Sequence, residues 1–153
     1  MSRSSDVIKR LSEKTIATAE SLTGGGIGAA LTSVSGSSAV YKGGVISYTN
    51  EIKMNVLGVT SETLEKYGAV SAQVAEEMVH GVRKLMNTDV AVSVTGLAGP
   101  GGDEYGNPVG TVYIAYEDCK RKISMKYLFD GNREEVRTQT IDAALDLILE
   151  FNE

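Results

Sequence analysis

The sequence predicts an α/β fold: a three-layer α/β/α sandwich around a mixed, mostly parallel sheet. Three observations predict it. Short apolar runs of strand character alternate with segments of helical spacing along most of the chain. Two strand segments late in the chain follow one another across the short turn "EDCKR", which makes the sheet mixed. The 153 residues are 42% hydrophobic and 23% charged, a length and composition suited to one domain with an aliphatic core.

The elements follow in order. "TIATAE" (15–20) is a short strand that runs into the glycine turn "SLTGGG". Ile27, Ala30, Leu31 and Val34 then share one helical face, and "SGSS" ends that helix. "AVYKGGVISYT" (39–49) is the second strand region, with Gly43 and Gly44 signalling a bulge or a close backbone approach. "NEIKMNVLGV" reads as a short helix with Gly58 near its end. "TSETLEKYG" reads as another, with Thr60 or Ser61 as N-cap and Gly68 as terminator. The helix "SAQVAEEMVHGVRKLMN" carries one apolar stripe: Val74, Ala75, Met78, Val79, Val82, Leu85 and Met86. Ser71 is its N-cap. "DVAVSV" is a strand that enters the loop "TGLAGPGGDEYGNP". "VGTVYIAY" is a long strand, and "KISMKYLF" alternates as a half-buried one. The last helix starts at Asn132, which with Glu135 forms a capping-box pattern.

Composition narrows the function classes. A formal net charge of −5 argues against nucleic acid as the main partner. One cysteine, Cys119, and one histidine, His80, leave no disulfide and no zinc-type metal site. "MSRSSDVIKR" holds no apolar run of signal-peptide type, and no stretch approaches the ~20 apolar residues of a membrane span. The expectation is a soluble, cytoplasmic protein that does not act at a membrane.

Four segments carry candidate chemistry. "ESLTGGGIGAAL" places glycines between a strand and a helix. Such a loop turns backbone N–H groups toward an anion such as phosphate, and that reading ranks ahead of a plain βα turn. Gly24, Gly26 and Ala29 satisfy G-x-G-x-x-A, but the acidic residue of a dinucleotide site is not placed. "VTGLAGPGG" is the second glycine loop. Thr95 stands there at the end of a buried strand, where α/β sheets contact ligands. "GSSAVYKGGVISYTNEIK" is the third. Ser38 precedes the strand and Lys53 follows it. A desolvated lysine can serve as a base, but a straight strand would hold the two far apart. Local rules favour caps and turns at Gly36, Ser37 and Asn50. His80 lies within a helix and reads as a solvated surface side chain. "FDGNREEVR" is the fourth: Arg133 sits in the first turn of a helix, against the macrodipole, as an anion ligand or as a solvated cation.

Together "TAESLTGG", "GSSAVYKGGVISYTNEIK", "YGAVS", "VTGLAGPGG", "NPVGTVYIA" and "DGNREEVR" resemble the CinA C-terminal domain family in order and spacing, from about Val7 to about Leu149. The characterised activity of that family is nicotinamide mononucleotide amidohydrolase. The resemblance implies hydrolysis of the carboxamide of nicotinamide mononucleotide to nicotinic acid mononucleotide and ammonia, in pyridine-nucleotide salvage, without a cofactor or metal. It implies a serine nucleophile at Ser38, a lysine base at Lys53 and an orienting Tyr48. Substrate positions fall on Ser21, Thr23, Gly24, Gly25, Gly36, Thr95, Gly96 and Arg133, with Arg133 as phosphate partner. Many relatives have Cys in place of Leu22 and Asp in place of Asn132. The resemblance further implies a small-molecule nucleotide as ligand and a homo-oligomer. It also implies a single amidase domain over residues 1–153, without the N-terminal molybdopterin-binding-like domain of many relatives.

Overall fold

The computed structural model describes residues 2–153. Its sheet has five strands: β1 (Ile16–Glu20), β2 (Tyr41–Ile46), β3 (Val90–Gly96), β4 (Thr111–Glu117) and β5 (Lys122–Leu128), in the spatial order β2-β1-β3-β4-β5. β2, β1 and β3 pair in parallel, whereas β3–β4 and β4–β5 are antiparallel. The sheet is therefore mixed around a three-strand parallel core, as the sequence predicts.

The two faces differ in the size of their side chains. One face presents Ile16, Val90, Val92, Val94, Val112 and Ile114. It is covered by α1 (Arg3–Arg10), α2 (Gly26–Thr32) and α6 (Arg133–Glu150). The other face presents Ala17, Ala19, Ala91 and Ala115, with Ser93 among them. Over it lie α3 (Asn50–Leu57), α4 (Ser61–Tyr67) and α5 (Ala72–Met86). Small residues there admit α5 closely enough for the Ser93 hydroxyl to donate to the Ala75 carbonyl at 2.6 Å. Val74, Ala75, Met78, Val79 and Val82 of α5 are buried, as the apolar stripe predicts.

The caps agree with the sequence. Thr60 and Ser71 accept from the backbone of α4 and α5, and Asn132 and Glu135 form a reciprocal capping box. The cap of α3 is Thr49 rather than Asn50. The helix α1 was not predicted. Its apolar content is only Val7 and Ile8, with Leu11 just beyond, and these are buried against α6. Arg3 also reaches Asp146 on α6 at 2.8 Å. Such a segment looks polar until its partner helix is known.

β2 is bulged as predicted: Ile16 pairs with Tyr41 but Ala17 with Gly43, so Lys42 is skipped. A side chain at Gly44 would collide with the Thr18 hydroxyl and the Tyr41 ring oxygen. The bulge does not fold the strand back. Six extended residues separate its ends by about 20 Å. Among the described residues, no helix is long and apolar enough to cross a membrane.

Candidate active site

The carboxyl ends of β1, β2 and β3 deliver three polar residues to one place: Ser21, Ser47 and Thr95. β1 is flanked by parallel strands on both sides, so the crevice between β1 and β3 is a topological switch point, the position where open α/β sheets bind ligands. A cleft of about 520 Å³ opens there, a volume in the range of small-molecule sites.

At its floor is Lys53. The amine comes from α3, whose start is fixed by the Thr49 cap, and the side chain is only 1% exposed. Its Nζ lies 2.7 Å from the Ser47 carbonyl and 3.2 Å from Ser21 Oγ. Among the described residues no carboxylate pairs with it. Burial alone pushes the amine down from 10.5 to about 8. A hydroxyl held against a desolvated amine is the arrangement a serine nucleophile requires when no histidine is present.

Ser21 is fixed by its surroundings. Its N–H donates to the Val94 carbonyl (3.2 Å), and the Ser47 N–H donates to the Glu20 carbonyl (2.7 Å). After Ser21 the chain turns, and Gly24 N–H donates back to the Ser21 carbonyl (3.1 Å). Among the described residues, the N–H groups of Leu22 and Thr23 have no hydrogen-bond acceptor.

The rim is built by Tyr48, Asn50, Arg133 and the loop Leu97–Gly101. Arg133 spans it, donating to the Gly99 carbonyl (2.7 Å) and to the Tyr48 hydroxyl (2.9 Å). The Thr95 hydroxyl donates to the Ala69 carbonyl (2.8 Å) and so holds the wall at Ala69–Val70. The far end of the loop is pinned as well: the Tyr105 hydroxyl donates to the Glu65 carbonyl (2.8 Å).

A family model described as the CinA C-terminal domain matches residues 2–152. This chain belongs to the CinA family. It is 49% identical over 136 residues to a CinA-like protein of Endomicrobium trichonymphae, covering 89% of this chain and 32% of that protein. It is also 49% identical over 137 residues to a putative competence-damage inducible protein of Acetivibrio thermocellus, covering 90% and 33%. The chain thus spans about a third of the length of the curated relatives it matches. Among solved structures, a CinA superfamily protein of Klebsiella pneumoniae superposes with a TM-score of 0.94 at 35% identity, covering 97% of this chain and 94% of that one. The competence/damage inducible protein CihA of Agrobacterium tumefaciens gives 0.91 at 37% identity, covering 100% and 98%.

In this CinA chain the cleft brings together Ser21, Tyr48, Lys53, Thr95, Gly96 and Arg133. It does not bring in Ser38 or Gly36. Both are exposed at the amino end of β2, on the far side of that strand from Lys53. Within one chain, then, Ser38 does not meet Lys53, and the hydroxyl against the amine is that of Ser21. Thr23, Gly24 and Gly25 also stand outside the cleft lining. The Thr23 hydroxyl donates to Glu20 Oε1 (2.6 Å), and Gly24 and Gly25 take positive φ to make the turn.

At the start of α2 the N–H groups that the sequence offered to an anion are taken by a carboxylate of the chain itself. Glu20 is 2% exposed and supplies its own carboxylate to the start of α2. Ile27 N–H (2.8 Å) and Gly28 N–H (3.0 Å) both donate to it. The helix terminus is occupied from within the fold. His80 is a surface residue, as read, although it rests 3.1 Å from the buried Glu117. The sequence reading missed Ser47, Asn50 and the Ala69–Val70 wall. The available signal for Ser21 at the amine was its position directly after a fully buried strand and before a tight turn into a helix, where α/β sheets present functional side chains.

Proposed function

We propose that this CinA chain is an amidase that hydrolyses the carboxamide of a pyridine mononucleotide, nicotinamide mononucleotide, with Ser21 as nucleophile and Lys53 as base. One observation carries the reading: a buried lysine amine without a counter-ion among the described residues, 3.2 Å from a serine hydroxyl at the floor of an open cleft. With Lys53 protonated, the ammonium donates to Ser21. Once neutral, the amine keeps one N–H on the Ser47 carbonyl and accepts the Ser21 proton.

Ser21 Oγ then bonds to the carboxamide carbon. The developing oxyanion takes the open N–H group of Leu22, which lines the cleft, and that of Thr23, the next backbone donor directly behind the lining. Lys53 passes its proton to the departing nitrogen, and ammonia leaves an acyl-enzyme. Water, deprotonated by the same amine, releases the acid. Arg133 and Asn50 at the rim are the groups available to the nucleotide phosphate, with Arg133 exchanging the neutral Tyr48 hydroxyl for a charged oxygen. A homo-oligomer, as the resemblance implies, is the arrangement through which the exposed Gly36 and Ser38 would reach a cleft, that of a neighbouring copy.

The test is ammonia release from nicotinamide mononucleotide, with nicotinamide and its riboside in parallel, by the wild type and by Ser21→Ala, Lys53→Ala and Ser38→Ala. We expect loss of at least ~10³-fold in the first two. We also expect the Ser38→Ala protein still to form a covalent adduct on Ser21. Full activity in Ser21→Ala would sink the mechanism. Tight binding of the nucleotide with no ammonia would make the chain a nucleotide-binding module instead.

A further inference from the structure

The turn that follows Ser21 is held from outside by a side chain that does not enter the cleft. Arg137, one turn beyond Arg133 on α6, donates from Nε to the Leu22 carbonyl (2.9 Å) and from Nη2 to the Thr23 carbonyl (3.2 Å). Peptide planarity gives this contact a consequence. The carbonyl of Leu22 and the N–H of Thr23 belong to one rigid unit and point in opposite directions. Drawing that carbonyl toward Arg137 therefore aims the Thr23 N–H away from it. The peptide before is fixed in the same way, because the Ser21 carbonyl is bonded by Gly24 N–H, which sets the Leu22 N–H. These two N–H groups have no acceptor among the described residues.

We propose that Arg137 is a positioning residue for the oxyanion donors, holding the Leu22–Thr23 peptide so that its N–H meets the charge that develops on the substrate oxygen. The inference rests on Ser21 being the nucleophile, as proposed above. Two features of Arg137 suit the task. Its planar fork holds two successive carbonyls at fixed angles, whereas a lysine would meet them with freely rotating donors on a flexible stem. Its charge also polarises the peptide whose carbonyl it binds, and that strengthens the N–H at the other end of the same unit. A purely cementing role, fastening α6 to the β1–α2 turn, would use the same contacts. The two differ in what they predict for reactivity at Ser21.

The experiment measures covalent labelling of Ser21 by an alkyl fluorophosphonate, which needs no knowledge of the substrate. Ser21 Oγ bonds to phosphorus, the P–F bond breaks, fluoride leaves and the proton goes to Lys53. The phosphoryl oxygen then occupies the place of the oxyanion. Wild type, Arg137→Lys and Arg137→Gln are compared by mass spectrometry, at a temperature where melting curves show each folded. We expect labelling to slow at least about tenfold in Arg137→Gln and less in Arg137→Lys, with the pH midpoint of labelling unchanged. With the carboxamide substrate, kcat should fall with little change in KM. Equal labelling rates in folded wild type and Arg137→Gln would overturn the inference and leave the Ser21 assignment standing. A shifted pH midpoint would also overturn it, since the effect would then run through the base. A wild-type protein that is not labelled at Ser21 would overturn both.

Discussion

Lys53 is a long cationic side chain buried where no carboxylate among the described residues balances its charge. Lysine is almost never fully buried unless paired, yet here its amine meets only a carbonyl and a hydroxyl. Burial pushes it down to about 8, so roughly a tenth of the molecules hold it neutral at pH 7. We expect kcat/KM to rise with pH along a single ionisation near 8 and to level off above it. A profile flat from pH 6 to 9 would argue against Lys53 as the base. The same shift affects stability. The folded amine titrates near 8 and the unfolded one near 10.5. Between those values the unfolded chain binds more protons, so stability rises with pH across that window. Below about 8 the folded state bears the whole cost of the buried ammonium, on the order of 3 kcal/mol. Lys53→Met should therefore be inactive yet more stable than wild type at pH 7, by roughly 1–2 kcal/mol after the loss of the bond to Ser47. That advantage should shrink by pH 10. Urea unfolding at the two pH values measures it, and a variant less stable at pH 7 would contradict the account.

At the scale of elements, the amine is placed by α3, and α3 is placed by α5. The crossing is tight at Gly81, where an added Cβ would run into the Leu57 carbonyl at the end of α3. Leu57 lies one turn beyond Lys53. Gly81→Ala should therefore push α3 outward, costing about 1–3 kcal/mol by overpacking and lowering kcat through displacement of the amine. Thermal melts with parallel activity assays check this. Wild-type stability and activity in Gly81→Ala would mean that α3 is not set by this contact. The turn between β1 and α2 follows a similar logic. Glu20 at the end of β1 binds the first amides of α2 and the Thr23 hydroxyl, so one buried carboxylate fixes both the helix start and the turn that bears Ser21. A glycine-rich loop before a helix resembles an anion site in sequence. Whether its N–H groups remain free depends on an acid seven residues before Ile27, and sequence spacing alone does not say where that side chain points.

For the whole molecule, three parallel strands end at one crevice while β4 and β5 extend the sheet away from it. The cleft has a polar rim supplied by Arg133, Tyr48 and Asn50 and a buried floor at Lys53, and the proposed function sets the phosphate of the nucleotide at the rim and its amide at the floor. If the proposed reaction holds, its product, nicotinic acid mononucleotide, should stabilise the chain. At a hundredfold excess over Kd it should add about 2.7 kcal/mol, or ~5–10 °C in Tm for a chain of this size. Arg133→Ala should lose most of that shift, while the smaller effect of the riboside stays unchanged. An equal shift from nucleotide and riboside in the wild type would remove the phosphate from the recognition scheme.

The strongly periodic parts of this chain were legible in its sequence. The α5 stripe from Val74 to Val82, the Asn132–Glu135 capping box, the glycine bulge in β2 and the antiparallel turn near Cys119 all depend on neighbours a few residues apart, so local rules reach them. The family motifs likewise set Lys53, Tyr48, Thr95 and Arg133 near one another in the expected site. The sequence determined by itself the α/β class, the order of elements and the set of residue types available for chemistry. The resemblance paired Lys53 with Ser38, 15 residues before it, and put Ser21, 32 residues before it, among the substrate positions. Only the tertiary structure decided which of the two hydroxyls lies beside the amine within one chain. A strand is stiff and extended, so β2 carries the nearer serine to the opposite end of the sheet. Parallel pairing brings the end of β1, remote in sequence, to within a hydrogen bond of the buried amine.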